Sequence, residues 1–273
     1  MDINNKITIA IPHFQTLELI KLCLRSIRKY TPQPYNVIVI DNGSRDESLE
    51  YLRSVKWIKL IQRDRGLAKT GSWAHGSALD IGLKNTDTEF FLALHSDVII
   101  KNSSWLNKLI SPFKNKERLA CVGSGKLEEI SRGYRIVKKM GDVKGLYRFI
   151  RRKIIKVNRN DNQPKSEYIR TICALYRTEI LKKERLSFLP VKEEGLTSGQ
   201  ALYYELIRRG YLTLYFSPDE MKRIIDHLNH GTMILNPSLG ARKRTIQKGL
   251  IRLRKKLRDE MIKDILEDST LDQ

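Results

Sequence analysis

The first hundred residues alternate short apolar runs with segments whose apolar residues recur at helical spacing. Apolar β-branched runs predict buried strands, and the amphipathic segments between them predict helices. The predicted strands lie at 7–11, 36–40, 57–61 and 89–94, and the predicted helices at 16–29, from about 46, and at about 70–84. A strand–helix alternation of this kind predicts an α/β fold with a mostly parallel, Rossmann-like sheet and flanking helices.

The second half of the chain has a less regular pattern. Strands are predicted at 120–125, 169–176 and 211–216, and helices at 103–113 and 200–209. The final 30 residues predict one basic amphipathic helix, because apolar residues recur there every three or four positions. Its apolar stripe comprises Ile246, Leu250, Leu253, Leu257 and Met261.

Polar residues follow each of the four predicted strands directly. They are Pro12 with His13, Asp41 with Asn42, Arg63 with Asp64, and the triplet His95, Ser96 and Asp97. The carboxyl ends of parallel strands share one edge of a sheet, where ligands of open α/β sheets bind. The sequence therefore predicts a ligand site at this edge.

Several of these residues have a defined chemistry. The Asp41 carboxylate can accept hydrogen bonds from a base or ribose, or it can simply form an Asx turn or cap the next helix. Asp97 can hold a divalent cation that bridges two phosphates. Arg63 and Lys69, in the loop after the third strand, can bind a diphosphate or a sugar hydroxyl, although cations in loops are commonly just solvated.

Charge is the unusual feature of the composition. The 273 residues carry a net charge of +20, which favours an anionic partner. Residues 132–159 hold eleven Lys or Arg against one acid, and 242–258 hold nine with none. The basic tail suits a helix on anionic lipid, but its stripe can also pack on the domain or on a second copy. Nucleic acid is not expected, because no nucleic-acid recognition module is evident and no aromatic residues interleave with the basic run 242–258.

Cysteine content and hydropathy bear on the compartment. The three cysteines, Cys23, Cys121 and Cys173, have neither zinc-site spacing nor the even count of a disulfide framework. No apolar run approaches the roughly 20 residues of a membrane span, and no secretory signal is evident. We expect a cytoplasmic protein, with peripheral contact at the inner face of the membrane as a further expectation.

Four segments in order resemble the nucleotide-binding half of the family 2 glycosyltransferases: ITIAIPHFQTLELIKLCLRSI, VIVIDNGSRDESLEYL, HGSALDIGL and FFLALHSDVII. The resemblance covers residues 7 to about 100 and implies a GT-A fold. It places Pro12 at the first nucleotide loop, Asp41 against the base, and Asp97 at the last acid of the DXD motif, on the metal. The later segment HLNHGT is similar to the family's late histidine, which makes His230 a second metal-ligand candidate and His227 its alternative.

Two positions depart from the family pattern. His95 replaces the first acid of DXD; it can still ligate Mn²⁺ or contact the ribose of the donor, but one negative charge is lost and Mg²⁺ would be held less firmly. The family's Glu-Asp pair falls at Ser198 and Gly199, neither of which can act as a base. Glu193 and Glu194 are the nearest replacements for an inverting transfer, or they are two solvated acids, which leaves a retaining mechanism or an inactive relative open.

Together these features predict a metal-dependent, inverting glycosyltransferase that uses a nucleotide sugar and Mn²⁺ or Mg²⁺. Residues 1–97 would bind the donor, 98–240 would form the acceptor half, and 241–273 the basic tail. The expected acceptor is a glycan or lipid-linked glycan in bacterial cell-surface polysaccharide synthesis. The alternative is a non-catalytic GT-A-like protein that binds RNA or anionic lipid. A nucleotidyltransferase is disfavoured, because the loop PHFQT after the first strand has no glycine.

Overall fold

A computed structural model describes residues 6–64, 70–127, 168–191, 193–240 and 243–273. The chain divides into two units, one formed by Met1–Lys126 with Tyr168–Gln273 and the other by Leu127–Glu167. All elements described below belong to the first unit. The predicted boundaries at residues 97 and 240 remain predictions.

The described strands and helices are numbered in chain order. The strands are β1 (Ile7–His13), β2 (Asn36–Asp41), β3 (Ile58–Gln62), β4 (Phe90–Leu94), β5 (Val98–Ile100), β6 (Leu119–Ser124), β7 (Cys173–Arg177), β8 (Leu212–Phe216) and β9 (Ile225–His227). The α-helices are α1 (Leu17–Tyr30), α2 (Ser48–Ser54), α3 (Gly71–Lys84), α4 (Trp105–Ile110), α5 (Thr178–Lys183), α6 (Gln200–Arg208), α7 (Pro218–Met221), α8 (Gly231–Leu235), α9 (Lys243–Lys256) and α10 (Glu260–Glu267).

Seven of the described strands form the central sheet in the order β3-β2-β1-β4-β7-β6-β8. The β1–β2, β2–β3, β1–β4 and β6–β8 pairs are parallel, and β7 runs antiparallel to both of its neighbours. The centre is buried on both faces, since every residue of β1 and β4 is buried. Such strands are continuously apolar rather than alternating, which is why their runs are visible in the sequence. The predicted mostly parallel α/β sheet is confirmed.

A second sheet of two short strands lies outside the sequence predictions. β5 pairs antiparallel with β9, and Val98 stands opposite His227. Three-residue strands carry too little pattern to be recognised from sequence alone.

The C-terminal segment differs from the single predicted helix. α9 ends at Lys256, and Asp259 caps the separate helix α10 by accepting a hydrogen bond from the Met261 amide at 3.1 Å. α10 packs Ile262 and Ile265 against Leu22 of α1 and Ile99 of β5. Within the described ranges, no helix combines the length and the apolar character that crossing a bilayer requires.

Candidate functional site

The carboxyl ends of β1, β2 and β3 bring their polar residues together. His13 stands opposite Asp41 in the parallel register of β1 and β2. The Asn42 amide donates to the His13 carbonyl at 2.9 Å, and the Arg63 amide donates to the Asp41 carbonyl at 2.9 Å. Pro12 is buried in β1 opposite Ile40. The predicted clustering of these residues at one sheet edge is present in the structure.

The Asp41 side chain organises the turn that follows β2. It is 1% exposed, and its Oδ2 accepts hydrogen bonds from the amides of Gly43 at 3.1 Å and Ser44 at 3.0 Å. Ser44 Oγ donates to Oδ1. The turn-forming alternative for Asp41 is therefore present, and its contact with a nucleobase remains a prediction.

Residues 15 and 16, in the loop after Pro12, are held by two side chains that the sequence pattern does not identify as site residues. Gln15 and Thr16 have positive φ angles of 40° and 119°, which are strained for residues other than glycine. Ser44 Oγ accepts from the Gln15 amide at 2.8 Å, and Asp46 Oδ2 accepts from the Thr16 amide at 2.9 Å. The turn after β2 thus fixes the loop after β1. The run DNGSRDES carries the signal for this turn, but on its own Asp46 indicates only a helix start.

His13 lies in the same network. Its Nε2 is 2.8 Å from Ser48 Oγ, and Ser48 Oγ in turn donates to Asp46 Oδ1. Burial lowers the pKa of His13 to about 4, an effect that Asp41 and Asp46 only partly oppose. The imidazole is therefore neutral at physiological pH and acts as a hydrogen-bonding support for the loop.

Arg63 lies beside the same turn. Its Nη1 donates to Asn42 Oδ1 at 3.0 Å and to the Ala74 carbonyl at 3.4 Å, and its guanidinium lies 5.8 Å from the Trp73 ring centroid. These contacts hold the cation at the sheet edge, where it can face an anionic ligand. Lys69 falls outside the described residues, so its predicted role stays a prediction.

The most distinctive feature of the edge is a cluster of His95, Asp97 and His227. One ligand atom from each lies within 4.8 Å of the other two. Asp97 Oδ1 is 3.2 Å from His227 Nε2 and 3.7 Å from His95 Nδ1. Two ligands at about 2.1 Å from one ion lie at most about 4.2 Å apart, so both separations suit joint coordination.

The two-stranded sheet explains how residues 130 positions apart in sequence meet. Asp97 directly precedes β5, and His227 ends β9, opposite Val98. The Leu228 amide donates to the Asp97 carbonyl at 3.0 Å, and the Gly231 amide donates to Asp97 Oδ2 at 2.9 Å. Oδ1 is thereby left directed toward the two imidazoles.

Gly231 is required by close packing at this point. A Cβ there would lie 2.5 Å from Leu19 Cδ1 and 3.1 Å from Asp97 Cβ. Any larger residue at position 231 would press against Asp97, whose carboxylate accepts the hydrogen bond from the amide of this residue. The absence of a Cβ at Gly231 leaves room for the Asp97 carboxylate, and the Gly231 amide fixes its orientation.

Electrostatics couple the three groups. Burial alone would raise the pKa of Asp97, but His227 and His95 hold it well below its ordinary value. Burial acts to lower the pKa of His227, and Asp97 outweighs it, so this pKa is raised. The pKa of His95 is lowered, chiefly by burial. Asp97 is therefore an ionised carboxylate, the form that a cation needs.

The donor set fits a divalent cation. Two imidazoles and one carboxylate suit Mn²⁺ and later transition metals better than Mg²⁺, which takes oxygen ligands. His230, preferred from sequence as the ligand, is outside this cluster; it precedes α8 in a left-handed conformation with φ 64°. The role of His230 as a metal ligand stays a prediction. The role of Ser96 in donor binding also stays a prediction; Ser96 is buried and lies in sequence between His95 and Asp97.

The two predicted bases of the expected acceptor half lie at the surface. Glu193 and Glu194 are exposed in the turn between Val191 and Leu196, which form an isolated bridge. Ser198 and Gly199 lie at the start of α6. A Cβ on Gly199 would lie 2.6 Å from Thr171 Cγ2, and its φ is +74°, so a carboxylate cannot replace it without movement.

Comparison with known sequences identifies relatives of part of the chain. The family model described as "Glycosyl transferase family 2" matches residues 8–185. The teichoic acid poly(glycerol phosphate) polymerase of Staphylococcus epidermidis is 28% identical over 101 residues, which are 34% of this chain and 13% of that protein. The O-antigen chain rhamnosyltransferase RfbN of Salmonella typhimurium is 28% identical over 119 residues, which are 43% of this chain and 36% of that protein. The chain thus matches well under half the length of these curated relatives.

Solved structures share the fold. The mannosyltransferase PcManGT of Pyrobaculum calidifontis, in complex with GDP-Man and Mn²⁺, has a TM-score of 0.54 at 14% identity, covering 99% of this chain and 71% of that one. The glucosyl-3-phosphoglycerate synthase of Mycobacterium tuberculosis, in complex with Mg²⁺ and UDP, has a TM-score of 0.50 at 19% identity, with coverages of 94% and 82%. The predicted GT-A fold is confirmed.

Proposed function

The chain belongs to glycosyl transferase family 2, and on that premise we propose that it transfers a sugar from a nucleotide-sugar donor to a glycan hydroxyl. The observation that carries the proposal is the His95–Asp97–His227 cluster, which lies at the same sheet edge as the turn formed by Asp41. A divalent cation bound there would neutralise the charge of the departing nucleoside diphosphate.

Each residue of the edge has a role in this proposal. Asp97, His95 and His227 hold the cation, and the Gly231 amide fixes the orientation of the Asp97 carboxylate. The turn at Asp41 and the loop after Pro12 receive the nucleoside. Arg63 supplies a cation for the phosphates.

A ligand screen tests this donor site. UDP, GDP, CMP and dTDP, each alone, with Mn²⁺ and with Mg²⁺, are added before thermal unfolding is measured. A ligand that binds only the native state raises stability with the logarithm of its concentration over Kd. We expect one nucleotide to raise the Tm, more with Mn²⁺ than with Mg²⁺. No shift at millimolar concentration with any combination would refute the donor site.

We propose that Glu193 or Glu194 is the catalytic base and that the transfer inverts the configuration at the anomeric carbon. Both carboxylates are exposed, and neither is held by a hydrogen bond or ion pair to another described residue. A base must abstract the proton of the attacking hydroxyl, so the turn 191–196 would have to meet the acceptor directly.

The variants E193Q, E194Q and their combination test this assignment. We expect one single variant to slow release of the nucleoside diphosphate from its sugar donor by about 10²–10⁴-fold, the usual contribution of a general base. Nucleotide-induced stabilisation should persist, because the donor site is untouched. Full turnover by the double variant would exclude both residues.

The acceptor and pathway are proposed from the relatives. Their names refer to teichoic acid and O-antigen, which are cell-surface polymers. We therefore propose a glycan or lipid-linked glycan acceptor in bacterial cell-surface polysaccharide synthesis, with the enzyme in the cytoplasm. Product analysis with candidate oligosaccharides tests this, and transfer to none of them while donor hydrolysis proceeds would count against it.

A non-catalytic function is the second candidate, because Ser198 and Gly199 leave no carboxylate at the start of α6. Such a protein would still be stabilised by a nucleotide with Mn²⁺. It would release no diphosphate from the corresponding nucleotide sugar at any acceptor concentration. Measurable turnover that Asp97→Asn removes would exclude this candidate.

A further inference from the structure

Helix α9, Lys243–Lys256, has an inner face that the domain already occupies. Leu253 is buried, and a Cβ on Gly249 would lie 2.3 Å from Ile234 Cδ1 of α8. Ile246 and Leu250 are half-buried. The apolar stripe predicted from sequence for lipid contact is thus largely used in packing, so it does not serve as a free amphipathic face.

The outer face of the same helix is strongly cationic. Seven basic residues of α9 and the turn after it are exposed: Lys243, Arg244, Lys248, Arg252, Arg254, Lys255 and Arg258. Among the residues that the structure describes, none of these seven has an acidic partner in an ion pair. Lys256, by contrast, pairs with Asp226. The charge of this face is therefore unneutralised within the described chain.

One apolar side chain lies in the middle of these cations. Ile251 is 68% exposed, the highest value among the large apolar residues that the structure describes. Arg244 lies seven positions before Ile251, Lys248 lies three before it, and Lys255 lies four after it. At 100° per residue, all three lie within about 60° of Ile251 around the helix axis. Three further exposed apolar residues, Met233, Leu235 and Leu239, belong to the segment just before α9.

We propose that this face of α9 docks on the surface of a bilayer containing anionic lipid, with Ile251 entering the headgroup region. Each basic residue held near such a surface contributes attraction, and one apolar side chain adds to it without requiring a spanning segment. The cationic face is complementary to the anionic headgroups. This goes beyond the proposed function, because no residue of the donor site takes part.

Nucleic acid would also be attracted by the charge, but the observations favour lipid. Proteins that bind single strands place aromatic side chains for base stacking. Residues 217–273 contain no Phe, Tyr or Trp. An exposed isoleucine among cations offers nothing to a phosphate backbone, whereas it can enter the headgroup region of a bilayer.

Flotation of the full chain with vesicles tests the proposal. Phosphatidylcholine vesicles with and without phosphatidylglycerol are compared for wild type, for R244E/K248E/K255E, and for I251S. The matched control is K114E/K116E/K183E, which changes net charge equally at exposed lysines far along the chain from α9. Thermal unfolding confirms that each variant is folded.

Wild type and control are expected to float only with anionic vesicles. A basic residue near such a surface is worth about fivefold in partitioning, and the three glutamates add repulsion, so the triple α9 variant should bind at least about a hundredfold more weakly. I251S should weaken binding by a smaller factor that salt does not change. An equal loss of vesicle binding in the α9 variant and the control would overturn the proposal. So would a wild-type chain that retains RNA in a filter-binding assay but does not float with anionic vesicles.

Discussion

Asp97→Asn is expected to abolish the Mn²⁺-dependent gain in Tm and to lower donor turnover by on the order of a thousandfold. The metal stabilises charge on the leaving diphosphate by several kcal/mol, and the carboxylate is the only anionic ligand of the described cluster. Asparagine can still accept from the Gly231 amide, so the local backbone should persist. Thermal unfolding with nucleotide and Mn²⁺, together with diphosphate release, measures both effects.

A destabilised variant with an intact site provides the control. If Asp97→Asn lost its response to nucleotide and Mn²⁺ only because it folds poorly, a variant with a substitution outside the site and a comparable or lower Tm would lose that response too. Asp272→Ala, discussed next, serves this purpose. A Mn²⁺ response preserved in Asp97→Asn would mean that the cation binds elsewhere.

Asp272→Ala is expected to lower the free energy of unfolding by about 2–3 kcal/mol, a fall of roughly 5–10 °C in Tm. Asp272 Oδ1 accepts hydrogen bonds from Arg25 Nε at 2.9 Å and from the Tyr51 hydroxyl at 2.7 Å. Arg25 is only 5% exposed, so its charge would be left buried without its carboxylate. This loss lies at or just below the usual range of about 3–5 kcal/mol for a buried pair, because the Asp272 side chain is 19% exposed.

This carboxylate anchors the end of the described chain to α1 and α2. Nearby, the Trp57 indole donates to the Leu271 carbonyl at 3.1 Å. Asp264→Ala is the matched control, because Asp264 is exposed on α10, and its cost should stay within about 0.5 kcal/mol. Equal Tm shifts for the two variants would contradict the anchoring role. Nucleotide and Mn²⁺ should still stabilise Asp272→Ala.

The donor half of the fold was predictable because its strands are buried on both faces and therefore continuously apolar. β1 and β4 illustrate this, and the polar residues that follow them mark the site edge directly. The family resemblance added the expected metal position at Asp97. These signals are local, so a single sequence carries them.

The position of His227, rather than His230, beside Asp97 was not predictable, because it depends on a three-residue strand. β9 sets His227 opposite Val98, and no periodic pattern reveals so short a pairing. The break between α9 and α10 did have a signal, since Asp259 followed by Glu260 is typical of a helix start. The continuous apolar stripe concealed it. The base remains a prediction, because position alone does not distinguish a catalytic carboxylate from a solvated one.

The most direct test of the central claim is an electron paramagnetic resonance titration of Mn²⁺ into the wild-type chain with the stabilising nucleotide. The free-ion signal should fall until one Mn²⁺ is bound per chain, and equimolar Mg²⁺ should not restore it, because two of the three proposed ligands are imidazoles. Because a nucleoside diphosphate itself binds Mn²⁺, each signal is compared with that of nucleotide and Mn²⁺ alone, and Asp97→Asn should not lower it further. Undiminished free Mn²⁺ with wild type, or equal loss with Asp97→Asn, would contradict the assignment of His95, Asp97 and His227 as the metal site.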